Sequence, residues 1–107
     1  MFKLKDIKAN NGATLTTNGE AVNYTRGYQV SVRDLEIIPA YRLTKKHLIE
    51  MLSRLPIGVN LGVWIDSGKA YIDYSVKFNN KRQALAYGKA HNQLSVWNWG
   101  AGEAIAC

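Results

Sequence analysis

The sequence predicts a single α+β domain of ferredoxin-like order, strand-helix-strand-strand-helix-strand, extended at its N-terminus by a β-hairpin. Three observations predict it. Apolar residues alternate in stretches at 28–32, 58–65, 71–78 and 93–99, the period of a half-buried strand. Two further stretches follow a capping residue and repeat apolar or small residues every three or four positions, the mark of a helix with one buried side. Turn signals at Asn10-Asn11-Gly12, Asn18-Gly19 and Asp66-Ser67-Gly68-Lys69 separate the strands, because Asn and Gly tolerate positive φ. Such an order places two helices on one face of a four-stranded antiparallel sheet.

Each element has its own justification. Phe2, Leu4 and Ile7 interleave with Lys3, Lys5 and Lys8, and Thr14-Leu15-Thr16-Thr17 follows the first turn; residues 2–17 read as the hairpin. Tyr28 to Val32 is the first core strand. Pro39 interrupts Ile37, Ile38 and Tyr41, so residues 33–43 read as an edge strand or an irregular crossing. Thr44 caps a helix over 45–55 whose buried stripe is Leu48, Met51, Leu52 and Leu55, and Pro56 stops it. Val59, Leu61, Val63 and Ile65 share one face of the next strand. The strand at 71–78 sets Ile72, Tyr74 and Val76 against Tyr71, Asp73 and Ser75. Asn80, with Gln83 three residues on, caps a helix over 81–91. In it Ala84 and Gly88 lie one turn apart, small enough for the helix to sit close on the sheet. Asn92 ends that helix in a left-handed conformation. The last strand, 93–99, divides Leu94 and Val96 from Ser95, Trp97 and Trp99. The expected organisation is a hairpin extension at 1–26, a core at 27–100 and a tail at 101–107, without linker or repeat.

Composition narrows the function classes. The 107 residues are 47% hydrophobic and 21% charged, enough to bury one core. Cys107 is the single cysteine, which excludes a disulfide framework within the chain and favours the cytoplasm. Met1 to Asp6 has no apolar signal-peptide core. No apolar run reaches the ~20 residues that span a bilayer, so no membrane is expected. The formal charge is +6, from 14 basic and 8 acidic side chains. That balance suits acidic partners, nucleic acid or an acidic protein surface; it also suits plain solubility.

Catalytic groupings are absent from the sequence. His47 with Glu50 offers too few ligands for zinc, which takes at least three from the protein. Nothing in the spacing joins His91 to Asp73 or Asp66 as a dyad. Ser67 and Ser75 lack a nucleophile elbow, and Cys107 lacks a fixed electropositive setting. Gly100-Ala101-Gly102 follows a strand without a helix after it, so it is no phosphate cradle. The reading is of a non-enzyme with no metal and no cofactor.

The sheet face away from the helices is the first candidate site. It should show Trp64, Tyr71, Trp97 and Trp99 beside Asp73. Exposed aromatics on a sheet stack bases and are enriched in protein hot spots. They are equally ordinary core residues if the hairpin packs over them. Gly68 to Tyr74 partly matches the basic-glycine-aromatic run of the RNA-recognition motif, with Asp73 where a second stacking aromatic belongs. Two basic groups, Arg42, Lys45 and Lys46, then Lys77, Lys81 and Arg82, stand at the starts of the two helices as candidates for phosphate or acidic-surface contact. Antiparallel helices would put them at opposite ends of the domain, as ordinary solvated side chains or as separate contacts.

A wider pattern runs from Gly27-Tyr28-Gln29-Val30-Ser31 through Gly62-Val63-Trp64-Ile65-Asp66 and Gly68 to Ser75. It ends with Ala84, Gly88, Asn92-Gln93 and Val96-Trp97-Asn98-Trp99. This pattern resembles small accessory proteins of phages and plasmids over roughly residues 12–105. Its motifs are structural: turn glycines, strand aromatics and a helix cap. The resemblance implies a binding protein of a mobile genetic element, of the anti-CRISPR type that blocks a CRISPR effector nuclease. Many such inhibitors are acidic DNA mimics, and a chain at +6 departs from that. Two functions are therefore expected from the sequence. One is a protein-binding inhibitor using Trp64, Tyr71, Trp97 and Trp99. The other is a module for RNA or single-stranded DNA that adds the basic side chains. A homodimer burying the aromatic face is a third arrangement.

Overall fold

The structure, a computed structural model, describes residues 1–107, except for the side chains of residues 33–35. It is a mixed α+β fold. In chain order the elements are α1 (Leu4–Ala9), β1 (Gly12–Leu15), β2 (Ala21–Val22), β3 (Tyr28–Pro39), α2 (Lys45–Ser53), β4 (Asn60–Asp66), β5 (Lys69–Phe78), α3 (Lys81–Ala90), β6 (Ser95–Asn98) and β7 (Glu103–Ala106). A 3-10 turn at Ala40–Arg42 joins β3 to α2. The seven strands form one antiparallel sheet in the order β2-β1-β4-β5-β3-β6-β7. No helix among the described residues is long and apolar enough to cross a membrane.

Period-two burial decides which face the helices cover. In β4 and β5, Leu61, Val63, Ala70 and Ile72 are buried, and their register pairs Val63 with Ile72 and Leu61 with Tyr74. Ile7 of α1 and Leu48 and Leu52 of α2 join them in one apolar cluster. Val30 pairs with Val76, on the same face of β5, and packs with Ala84 of α3 and Val96 of β6 in a second cluster. All three α-helices thus lie on one side. At Gly88 the expected close approach is present: a Cβ there would stand 2.8 Å from Cys107 Sγ and 3.2 Å from Val96 Cγ2.

Local signals act as read. Thr44 Oγ1 accepts from the His47 amide at 3.1 Å, and Asn80 Oδ1 from the Gln83 amide at 3.1 Å. Asn92 has φ 58°, and the Gln93 amide returns to the Gly88 carbonyl at 2.8 Å. A cap of this kind contributes about 1 kcal/mol. Asn80→Ala is therefore expected to lower the urea midpoint by that amount of stability with an unchanged slope; a changed slope would mean that more than the cap was lost.

The N-terminus departs from expectation. Residues 4–9 form a helix, not a strand. Phe2 and Leu4 are spaced at the strand period, but Ile7 lies three residues beyond Leu4, the helical spacing, and the helix buries Ile7 and leaves its lysines in water. The hairpin is β1 with β2, closed by the Thr16–Glu20 turn. It extends the sheet by pairing with β4 and leaves the far face uncovered. Residues 28–39 make one strand bonded to β5 through two register shifts, with Pro39 at its end, where a missing donor is tolerated. The side chains of 33–35, within the stretch read as irregular, lie outside the described residues. The helix expected over 45–55 ends at Ser53. Residues 103–106, expected as tail, pair with β6 as β7. The last core strand begins only at Ser95, so Leu94 is exposed beside it.

Candidate protein-docking face

Register places the side chains of the uncovered face in cross-strand rows. One row runs Gly12, Trp64, Tyr71, Ile37 across β1, β4, β5 and β3. Trp64 and Ile37 are each 61% exposed. The Trp64 and Tyr71 rings lie 5.7 Å apart at 37°. A second row, towards the opposite end, runs Lys77, Gln29, Trp97, Ala104 across β5, β3, β6 and β7. Trp97 is 41% exposed, and its ring meets Trp99 edge-on at 6.3 Å.

The second row is held from below. Trp99 Nε1 donates to Gln29 Oε1 at 3.1 Å, and Gln29 Nε2 donates to Ser75 Oγ at 2.7 Å. Both ends of that buried amide are satisfied, which fixes its orientation and the indole above it. Tyr24, in the connection from β2 to β3, meets Trp99 edge-on at 5.5 Å. Its hydroxyl accepts from Asn60 Nδ2 at 3.2 Å. Lys77 Nζ sits 4.4 Å from the Tyr24 ring centre, a cation–π arrangement. Tyr24, Gln29 and Ile37 were not singled out in the sequence. Gln29 and Ile37 follow from strand parity once the register is known. Tyr24 has no such signal, because it enters the face from a connecting segment.

The predicted residues therefore divide. Trp64 and Tyr71 share one end of the face; Trp97 and Trp99 share the other. Lys77 belongs with the second group, not with Lys81 and Arg82, because the chain crosses from the sheet to the helical layer between Phe78 and Lys81. Lys81 and Arg82 begin α3. Lys45 and Lys46 begin α2, with Lys45 Nζ 5.9 Å from the Phe2 ring centre, and Arg42 lies over Tyr41. Tyr28 pairs with Phe78 and Pro39 with Lys69, so α2 and α3 start from opposite ends of the sheet.

Among the described side chains, charge on the uncovered face is balanced. The described charged side chains that strand parity puts there are Asp66, Lys69, Asp73 and Lys77. The histidines sit elsewhere. His47 Nε2 bonds Glu36 Oε1 rather than Glu50, and His91 stacks on Tyr87, with Nδ1 2.9 Å from the Tyr87 carbonyl oxygen. Among the described residues no group of three His, Cys, Asp or Glu side chains gathers to hold a metal. No family model, curated protein or solved structure matches the chain.

Proposed function

We propose that this chain is a non-catalytic protein-binding module that docks its partner on the uncovered sheet face. The observation that carries the reading is Trp64 and Trp97 standing 61% and 41% exposed on a face that no helix covers. Tryptophan is among the residue types most enriched in hot spots. The balanced charge of the face favours a protein over a phosphate backbone, which a net positive surface attracts. The strand order β4-β5-β3-β6, with α2 and α3 on one side, supports a ferredoxin-like core whose sheet is free to bind. The resemblance to mobile-element accessory proteins makes a CRISPR effector nuclease the first partner to test, and inhibition the first activity.

The test is capture of the effector nuclease by the tagged chain, with and without guide RNA, and target cleavage at low and high salt. Salt-resistant capture with loss of cleavage is expected. The double substitution Trp64→Ala with Trp97→Ala should weaken capture by about 700-fold or more, two hot-spot residues costing roughly 2 kcal/mol or more each. Undiminished capture by the double variant would move the interface off this face. No capture, with a nucleic acid bound through Trp64 and Trp97 instead, would replace the protein partner with a stacked single strand.

A further inference from the structure

The helical side of the molecule carries the charge that the sheet face lacks. The three α-helices hold seven lysines and arginines against two carboxylates, Asp6 and Glu50, which is +5 of the net +6. The excess is sharpest on α3, which has no acidic residue. Lys81, Arg82, Leu85, Ala86 and Lys89 fall on one outward stripe at helical spacing. With Cys107 they line an open hollow of about 600 Å³. Lys81, Arg82 and Lys89 are exposed, and among the described residues none of them makes an ion pair. Cations that merely decorate a surface are usually interspersed with acids.

We propose that the outward face of α3 is a second binding surface, one that takes the phosphate backbone of a nucleic acid. Charge complementarity selects the occupant. The cations span about 12 Å along the helix axis at ~1.5 Å per residue, a length that meets several successive phosphates of a strand. Leu85 and Ala86 between them are short and uncharged, so a backbone can enter the hollow between the basic ends. A protein partner would more naturally meet a surface of mixed sign, as on the sheet face. The lysines of α1 and α2 extend the positive field beyond α3 and assist encounter without fixing sequence. This surface is independent of the sheet face: α3 packs on the opposite side of β3 and β6.

The test is fluorescence anisotropy of a labelled RNA strand and a labelled DNA duplex, each of about 20 units, between about 50 and 200 mM salt. The native chain is compared with Lys81→Gln/Arg82→Gln/Lys89→Gln and with Trp64→Ala/Trp97→Ala. The native chain should bind either nucleic acid with a linear log–log fall in affinity as salt rises. The triple variant should flatten that slope by about 2–3 and bind at least about 10-fold more weakly at low salt, while the tryptophan variant binds as the native chain does. All three triple-variant positions are exposed, and a melting curve matching the native one shows that the loss is not unfolding. Unchanged binding by the triple variant, or no salt-dependent binding by the native chain, overturns the proposal. Equal binding of a polyglutamate peptide, lost in the same variant, also overturns it and assigns the stripe to an acidic protein. Because the tryptophan variant is read alongside, failure here and failure of the sheet-face reading are distinguishable.

Discussion

Leu48→Ala is expected to destabilise the chain by about 2–5 kcal/mol and to lower its melting temperature by roughly 4 °C or more for each of those kcal/mol. Leu48 is 0% exposed and belongs to the cluster that joins α2 to Phe2, Ile7, Leu15, Leu61 and Ile72. Truncation removes the transfer free energy of three carbons and leaves a cavity that the sheet behind it cannot collapse to fill. Against a total stability of about 5–15 kcal/mol for a domain of this kind, that loss is large. The cluster also seats α1 through Ile7, so hydrogen exchange should accelerate at residues 4–9 as well as in α2. Trp64→Ala is the comparison. An exposed aromatic removed from a surface changes stability within about 0.5 kcal/mol, so the two substitutions should separate folding from docking. A Leu48→Ala chain that melts within 2 °C or so of the native one would mean that α2 is not seated on the sheet as described.

The division between what was legible in the sequence and what was not follows the range of the interactions involved. Thr44, Asn80 and Asn92 act within three or four residues of themselves, so the starts of α2 and α3 and the end of α3 could be read from neighbours alone, while α2 ends two residues before the Leu55 expected of it. The β4–β5 hairpin was equally local, since Asp66 and Lys69 bracket its two-residue turn. The faces of β4 and β5 followed from alternation. The first helix did not, because Phe2 and Leu4 carry the strand period and, in so short a segment, only the Leu4–Ile7 spacing carries the helical one. Strand β7 was hidden by its small residues, Ala104 and Ala106, and by the glycines before it. The site was legible in its residue types and not in its assembly. Trp99 is fixed by Gln29 across 70 positions of sequence, and Gln29 by Ser75 across 46. Lys77 looked like a companion of Lys81 and Arg82; the end of β5 puts them in different layers, and with them the two surfaces proposed above.

Gly12→Ala tests the joint between the fold and the docking face. Gly12 pairs directly with Trp64 at the edge where the hairpin meets β4. Its φ is +148°, and a Cβ built there would stand 2.4 Å from the Val63 carbonyl oxygen and 3.3 Å from Trp64 Cα. Both obstacles are backbone, so no side-chain rotation relieves them, and β1 must move away from β4. Strain at such a φ and forced overpacking each cost about 1–3 kcal/mol, so a loss of about 2–6 kcal/mol is expected in urea unfolding. Gly58→Ala is the control. Its φ is +80° with nothing within 4 Å, so it carries the conformational term alone, about 1–2 kcal/mol. Equal losses in the two variants would remove the clash from the explanation. The functional consequence follows from geometry. Trp64 lies beside the displaced backbone, whereas Trp97 pairs with Gln29 of β3 at the other end of the same face. In Gly12→Ala, capture of the partner should therefore weaken about as much as in Trp64→Ala. Adding Trp64→Ala to Gly12→Ala should weaken it little further, while adding Trp97→Ala should weaken it by the full amount that Trp97 contributes, since only the first pair is in contact.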